Sequence, residues 1–230
     1  MSATPPSHPS DRRPIAARKL GIVQSMASIL ARAGVTPNSI SVSSMFFAAI
    51  ACAALIATPH VTDTTARLLW LVAAAGIQAR LMANLLDGLV AVEGGKRTPV
   101  GELYNEVPDR VSDSLVLIGA GYALTGQVEA GYLAALMAIM TAYVRAVGKG
   151  AGVGSDFGGP MAKQQRMAII TIGCVYLACA PQSWRHEVII NSRSFGILGI
   201  ALVVITIGAA LTSVLRLLRI AKRLYAGHTT

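Results

Sequence analysis

Residues 66–86 read ARLLWLVAAAGIQARLMANLL, and this stretch decides which kind of fold the chain can adopt. As an α-helix, a segment of this length extends over about 31 Å, which matches the hydrocarbon thickness of a bilayer. Apart from Arg67 at its edge, Arg80 is the only charged residue in it. We therefore predict a membrane-spanning helix with one internal cation that needs a partner.

Five further apolar blocks follow the same pattern, at 39–57, 111–125, 129–147, 165–181 and 194–217. The chain of 230 residues is 53% apolar and 13% charged, and that charged fraction is about half of what soluble domains carry. We predict an all-α integral membrane protein with six transmembrane helices. Its odd number of cysteines, all in apolar blocks, indicates neither a disulfide framework nor a zinc site.

The chain before the first block divides into two parts. Residues 1–13 are rich in Ser, Pro and Arg, so we predict a disordered tail without a secretory signal. Residues 14–35 alternate apolar and basic positions, which is typical of an amphipathic helix at the membrane surface. A helix packed on the bundle is an equally good interpretation. The remaining residues, 36–225, form the predicted six-helix domain.

The distribution of Lys and Arg orients the spans. Sixteen lie in the N-terminal region, in the loops near 87–110 and 145–166, and at the C-terminal end, whereas the opposite loops hold three. The positive-inside rule therefore places both termini and the two glycine-rich loops in the cytoplasm. The net charge of +9 indicates this topology and an attraction to membrane lipids. It does not indicate a nucleic-acid partner, because no soluble basic surface is predicted.

Acidic residues concentrate where the 66–86 span ends. Six of the eleven Asp and Glu residues fall between Asp87 and Asp113. Arg80, Asn84 and Asp87 are spaced three and four apart, so they share one helix face. A carboxylate inside or beside an apolar span is costly unless it is paired, coordinated or facing a cavity, which favours a functional role for Asp87.

A second polar face leads into the next span. Gly101, Asn105, Asp109 and Asp113 recur every four residues and lie on one narrow side of a helix. A functional role is favoured for Asp109 and is as plausible as a structural one for Asp113. By contrast, a solvated loop is the favoured interpretation of three glutamates: Glu93, Glu102 and Glu106. Carboxylate and amide oxygens suit hard cations such as magnesium, manganese or calcium, and magnesium commonly accompanies a phosphate.

Cations beside glycines form a second candidate site in the loop near 145–166. Arg145, Lys149, Lys163 and Arg166 flank Gly158-Gly159-Pro160, a composition that suits a bound phosphate. The alternative is that these cations only follow the positive-inside bias.

The polar segment resembles the signature of the CDP-alcohol phosphotransferase family, D-x-x-D-G-x-x-A-R, eight residues, then G-x-x-x-D-x-x-x-D. Residues 84–92 read NLLDGLVAV and residues 101–109 read GELYNEVPD, with every spacing of the signature preserved. Thr36-Pro37-Asn38 is similar to the T-P-N that precedes the family's first span. Three positions depart from the pattern, with Asn84 and Asn105 in place of the first and third aspartates and Val92 in place of arginine.

The resemblance implies roles for these residues. In the family, the first three aspartates bind two divalent ions, the motif holds the CDP group, and the fourth aspartate is the general base. Carried over, Asp109 is the catalytic base and a metal ligand, and the other implied ligands are Asp87, Asn84, Asn105 and Asp113. The CDP group is expected at Asp87, Gly88, Ala91 and Gly101, and phosphates at Arg80, Arg145, Lys163 and Arg166.

The same resemblance implies a membrane enzyme of phospholipid synthesis. It would transfer a phosphatidyl or similar group from a CDP-linked donor, such as CDP-diacylglycerol, to a polar alcohol and release CMP. The implied cofactor is Mg²⁺ or Mn²⁺, with fewer than two ions expected, because two negative charges are missing at Asn84 and Asn105. The implied location is a bacterial inner membrane with a cytoplasmic active site, and a homodimer is compatible with it. The alternatives are a catalytically impaired relative that binds a nucleotide-lipid or a protein partner, and a small transporter.

Overall fold

The structure is a computed structural model that describes residues 21–93, 100–185, 187–190 and 193–227. The predicted tail at 1–13 and the first part of the 14–35 helix lie outside these residues. Within the described part the chain forms helices α1 (Gly21–Arg32), α2 (Pro37–Ala57), α3 (Asp63–Glu93), α4 (Gly101–Tyr122), α5 (Val128–Gly150), α6 (Lys163–Cys179) and α7 (Ile197–Gly227). Two three-residue strands, β1 (Val188–Ile190) and β2 (Arg193–Phe195), form an antiparallel hairpin before α7.

The six predicted apolar blocks fall, in order, in α2 to α7. By length and composition, α2, α3, α5 and α7 can each cross a membrane. The helical architecture and the integral membrane character predicted from the sequence are therefore confirmed. The count of six spans stays a prediction, because α4 begins with a polar stretch and α6 has only 17 residues.

Helix α1 packs on the bundle along one side only. Val23 and Ala27 are buried, in a cluster with Val90 and other residues of α3. Ile22 and Ile29 remain exposed on the helix. The helix thus has a face for the bundle and further apolar residues that are free to contact lipid. Its position at the membrane surface stays a prediction.

Small residues allow the helices around the site to approach closely. A Cβ added to Gly119 of α4 would lie 2.9 Å from the Cα of Cys52 in α2. A Cβ added to Gly131 of α5 would lie 2.9 Å from the Cα of Gly121 in α4. Close approach of this kind is how helices associate in lipid, where burial of apolar surface supplies little driving force. These contacts hold α4 between α2 and α5.

Local sequence explains where α2 begins. Thr36 has extended backbone geometry, and its hydroxyl accepts a hydrogen bond from the N–H of Ser39 at 3.2 Å. Pro37 follows at the first helical position, where its missing N–H costs nothing. The T-P-N segment is therefore a helix start, and it places Ser41 in the second turn of α2, where the helix packs against α3.

Candidate active site

Asp109 lies at the centre of the polar cluster, in the third turn of α4. Its carboxylate is 8% exposed. The Nζ of Lys163, the first residue of α6, lies 2.7 Å from both of its oxygens. The side-chain amide of Asn84 on α3 donates to its Oδ1, and Nη2 of Arg80 lies 3.5 Å from the same oxygen. Three helices therefore converge on this carboxylate.

Asp113, one turn further along α4, lies between two buried arginines. Arg80 donates to its Oδ1, and Arg166 donates to its Oδ2 at 2.8 Å. All three side chains are at most 2% exposed. The second nitrogen of Arg166, Nη1, donates to the carbonyl oxygen of Met161 at 2.9 Å. Because both oxygens of Asp113 already accept hydrogen bonds from arginine, its geometry is that of a structural ion pair.

Asp87 is buried on α3 and is held from α2. The hydroxyl of Ser41 donates to its Oδ2 at 2.6 Å. Its carboxylate also interacts electrostatically with Asp109 and Lys163, so the two motif aspartates belong to one site. This hydrogen bond fixes Asp87 without supplying a positive charge, which leaves the carboxylate available to a cation.

The charges of the cluster balance. Three cations on α3 and α6 face three carboxylates on α3 and α4, namely Arg80, Lys163 and Arg166 against Asp87, Asp109 and Asp113. Burying a charge is tolerable only when it is paired, and in this cluster the protein's own side chains supply the pairing. Aspartates at positions 84 and 105 would have added two uncompensated negative charges.

The remaining motif positions occupy the outer part of the site. Gly88 and Ala91 are half-buried on α3, and Gly101 begins α4 with partial exposure. Asn105 is exposed one turn before Asp109, and Val92, at the position of the motif arginine, is 45% exposed. The predicted nucleotide-binding residues therefore lie at the accessible ends of α3 and α4, beside the buried charges.

The four cations of the second candidate site each pair with an acidic residue of α4. Nη2 of Arg145 donates to both oxygens of Glu106 at 2.6 Å, and its guanidinium lies 5.3 Å from the ring centroid of Phe157. Lys149 pairs with Glu102 across the same helices. The structure thus separates the cations predicted to bind phosphate: Arg80, Lys163 and Arg166 surround the aspartates, whereas Arg145 pairs with the outer glutamates.

The glycine-rich loop between α5 and α6 is fixed by Asp156. Arg219 of α7 donates to its Oδ2 at 2.7 Å, and the N–H of Gly158 donates to its Oδ1. Burial raises the pKa of the Asp156 carboxyl, but these two hydrogen bonds outweigh it, so the pKa lies below its ordinary value. This carboxylate is charged at neutral pH and holds the loop that leads into Lys163.

The side-chain atoms of the site can be compared with the ligands that the implied metal ion requires. Among the described residues, no group of three or more acidic, histidine or cysteine side chains is arranged to hold an ion. Asp87, Asp109 and the amide oxygen of Asn84 nevertheless form an all-oxygen set. That set fits one magnesium-like ion, which usually binds through one or two carboxylates and keeps water or phosphate oxygens as its other ligands. The residues therefore fit a single hard cation and offer little to a second.

Sequence reasoning missed several residues of the site. Ser41 holds Asp87, and Asp156 anchors the loop before α6. Neither has a distinctive signal, because a serine in an apolar helix and an aspartate in a glycine-rich loop are common. The sequence did name Lys163, but as a phosphate ligand and not as the partner of Asp109.

Comparisons with known proteins bear on this geometry. No family model matches the chain. A phosphatidylinositol phosphate synthase of Mycobacteroides abscessus is 28% identical over 163 residues, which are 67% of this chain and 69% of the relative. The resemblance to the CDP-alcohol phosphotransferases is confirmed. The relative's name is that of an enzyme of this kind, which agrees with the activity predicted from the sequence.

Two solved structures share the fold of this chain. The phosphatidylinositol phosphate synthase of Mycobacterium tuberculosis with CDP-DAG bound superposes with a TM-score of 0.67 at 21% identity, over 87% of this chain and 94% of that one. The same synthase in complex with manganese and citrate gives a TM-score of 0.66 at 21% identity, over 86% and 88% of the two chains. The manganese in that relative agrees with the predicted Mg²⁺ or Mn²⁺ cofactor.

Proposed function

We propose that the chain is a phosphatidyltransferase that moves the phosphatidyl group of CDP-diacylglycerol to a polar alcohol and releases CMP. One observation carries the proposal. Asp109, the fourth position of the motif, lies where α3, α4 and α6 meet, with Asp87 beside it, Lys163 within reach of an anionic donor and Arg80 buried next to them. A carboxylate and cations in one site are what proton removal and pyrophosphate binding require.

The chemistry requires one proton transfer and one displacement at phosphorus. Asp109 accepts the proton of the acceptor hydroxyl, and the resulting oxygen attacks the phosphorus that carries the diacylglycerol. The bond from that phosphorus to the CMP oxygen breaks, and CMP leaves with the bonding electron pair. Phosphoryl transfer of this type depends mainly on positioning and on neutralising charge.

The side chains of the site divide this work. Lys163 neutralises negative charge on the pyrophosphate, Arg80 contributes its positive charge from its buried position beside Asp113, and Gly88 and Ala91 leave space for the nucleotide beside α3. Asp87, Asp109 and Asn84 would hold a divalent ion, which when bound supplies further charge neutralisation. Arg166 keeps Asp113 and Arg80 in place from α6.

The donor and the acceptor are inferred from the relatives. CDP-DAG is bound in a solved relative, which supports CDP-diacylglycerol as the donor. The names of the relatives refer to a phosphatidylinositol phosphate, so inositol phosphate is the first acceptor to test among polar alcohols. In this chain Arg145 and Lys149 are paired with glutamates, and an acceptor with a phosphate would have to compete for them.

The membrane arrangement remains part of the proposal. We infer six spans, α2 to α7, within a domain at 36–225, with both termini and the active site in the cytoplasm of a bacterial inner membrane. The distribution of Lys and Arg supports this orientation. Membrane lipids would surround the exposed apolar side chains, and a homodimer remains compatible with them.

Product analysis tests the reaction. Purified full-length protein is incubated with Mg²⁺ or Mn²⁺, CDP-diacylglycerol and a panel of polar alcohols that includes inositol phosphate, and the lipids are identified by mass spectrometry. We expect one new phospholipid, equimolar CMP, and loss of both in Asp109→Asn. Lys222→Gln serves as the control, because it removes an exposed cation of α7 that lies outside both candidate sites.

A second function is favoured by the contacts of Asp109. Because Lys163 and Asn84 already occupy this carboxylate, the chain could bind a CDP-linked lipid without turning it over. In that case CDP-diacylglycerol would bind with ordinary affinity while neither CMP nor a new lipid forms with any acceptor. The same incubation, combined with a binding measurement, distinguishes the two functions.

A further inference from the structure

The contact between Lys163 and Asp109 uses the oxygens that a metal ion would need. The ammonium nitrogen is equidistant from both oxygens, at 2.7 Å, and so occupies the chelating position of the carboxylate. A divalent ion at this position would place two cations next to each other, with strong repulsion in a buried site. The ammonium group and the ion therefore compete for Asp109.

Because the charges of the cluster balance, the competition between Lys163 and the ion decides whether an ion can bind. With Lys163 in place, the buried cations and carboxylates neutralise one another. An ion that entered without displacing Lys163 would leave two positive charges in excess. Desolvation makes such an excess costly, so a free ion gains little by entering the unliganded site.

We propose that Lys163 is a built-in competitor that keeps Asp109 from binding a divalent ion until a phosphate-bearing donor draws the ammonium group away. The pyrophosphate of a CDP-linked lipid offers Lys163 a new anionic partner, which frees the carboxylate for the ion. Ion and donor then bind cooperatively, and each raises the affinity of the other by the same factor. This inference rests on the proposed function, because it takes a CDP-linked lipid as the donor.

The side chain of Lys163 is suited to this exchange, whereas Arg80 is not. Lys163 is 20% exposed, lies at the start of α6, and carries a compact charge on a flexible stem. Arg80 is fully buried and fixed to Asp113. Of these two cations, Lys163 is the one with the freedom to move towards a ligand at the cytoplasmic ends of α3 and α4.

Manganese binding tests the inference without reference to turnover. Free Mn²⁺ is measured by electron paramagnetic resonance in titrations of full-length protein in detergent, with and without CDP-diacylglycerol. The variants are Lys163→Gln, Lys163→Arg and the control Lys222→Gln, at an exposed position of α7, and Asp87→Asn with Asp109→Asn defines the background. We expect Lys163→Gln to bind Mn²⁺ about tenfold more tightly than the native chain when the donor is absent. Lys163→Arg and Lys222→Gln should bind it as the native chain does.

The donor provides the second measurement. CDP-diacylglycerol should raise the Mn²⁺ affinity of the native chain several-fold and that of Lys163→Gln much less, because the competitor is already gone. Equal Mn²⁺ affinity of the native chain and Lys163→Gln without donor would overturn the inference. If the two affinities were equal and the native chain nevertheless released CMP in a Mn²⁺-dependent reaction, the proposed function would stand and the inference about Lys163 would fail. If Lys163→Gln bound Mn²⁺ more tightly but no variant released CMP, the inference would stand and the function would fail.

Discussion

The ammonium group of Lys163 and the carboxylate of Asp109 form a two-pronged contact across 54 positions of the chain, with Nζ at 2.7 Å from each oxygen. This contact joins the beginning of α6 to the third turn of α4. One turn further along each helix, Arg166 and Asp113 repeat the pairing at 2.8 Å. The two pairs hold the helices in register and fix the charges of the site.

Removing the charge of Asp113 should destabilise the protein more than removing that of Asp109. Asp113→Asn leaves Arg166 buried without its carboxylate and Arg80 with the longer contact to Asp109, and loss of one member of a buried ion network costs about 3–5 kcal/mol. Asp109→Asn leaves Lys163 partly exposed and able to reach water. Thermal unfolding in detergent compares the two. A larger loss for Asp109→Asn would show that Asp113 is not the structural member of the cluster.

Ser41→Ala should impair the site through Asp87. The hydroxyl donates to Oδ2 of Asp87 at 2.6 Å, and loss of a group that orients a metal ligand costs about 10-fold or more in ion affinity or activity. Ser43→Ala is the matched control, because the hydroxyl of Ser43 donates to the carbonyl of Ile40 within its own helix. Mn²⁺ titration in the presence of CDP-diacylglycerol measures the effect. Equal Mn²⁺ affinities of the two variants would show that Ser41 does not support ion binding by Asp87.

Restoring the two motif aspartates should increase the response to divalent ions. In Asn84→Asp with Asn105→Asp, a carboxylate replaces the amide that donates to Asp109, so like charges adjoin until an ion binds. We expect a lower unfolding temperature than the native chain without ions and a larger rise on adding Mn²⁺. Ser183→Asp, in the turn before the hairpin, controls for an added charge. An unchanged response to Mn²⁺ would contradict the charge argument.

Gly159→Ala should destabilise the loop before α6. Gly159 has φ of +129°, and an added Cβ would lie 2.4 Å from Cγ2 of Thr212 in α7. Strain at such a position costs about 1–3 kcal/mol, and the collision with Thr212 adds to it. Gly150→Ala is the control, since no atom lies within 4 Å of its added Cβ. Thermal unfolding is measured for both variants. Equal unfolding temperatures of Gly159→Ala and Gly150→Ala would contradict the close packing of Gly159 against Thr212.

The sequence alone was enough to predict most of the architecture. Long apolar blocks located α2 to α7, because side chains that face lipid or the core of a helical bundle must be largely apolar. The four-residue spacing from Asp109 to Asp113 correctly placed both on one side of α4. The hairpin had no comparable signal, since β1 lies outside the apolar blocks and β2 overlaps the beginning of the last block, which was predicted to be helical.

The pairing of charges could not be predicted from the sequence. Arg80 was expected to need a partner, but its partner Asp113 is 33 residues away and was chosen by the packing of α3 against α4 and α6. Lys163 and Arg145 were both predicted to bind phosphate, yet Lys163 contacts Asp109 and Arg145 contacts Glu106. The pairing of cations with acidic residues depends on how each helix is rotated about its axis. The spacing of residues along the sequence does not determine this rotation when a loop separates two helices.

The most direct measurement of the central claim combines turnover with donor binding in Asp109→Asn. CMP release is followed with CDP-diacylglycerol, the preferred acceptor and Mg²⁺, and CDP-diacylglycerol affinity is measured on the same preparations. If Asp109 removes the acceptor proton, the variant should lose at least about 100-fold in CMP release, while its donor affinity, measured without a divalent ion, does not fall below that of the native chain. Undiminished CMP release by Asp109→Asn, or none from a native chain that binds the donor, would contradict the account.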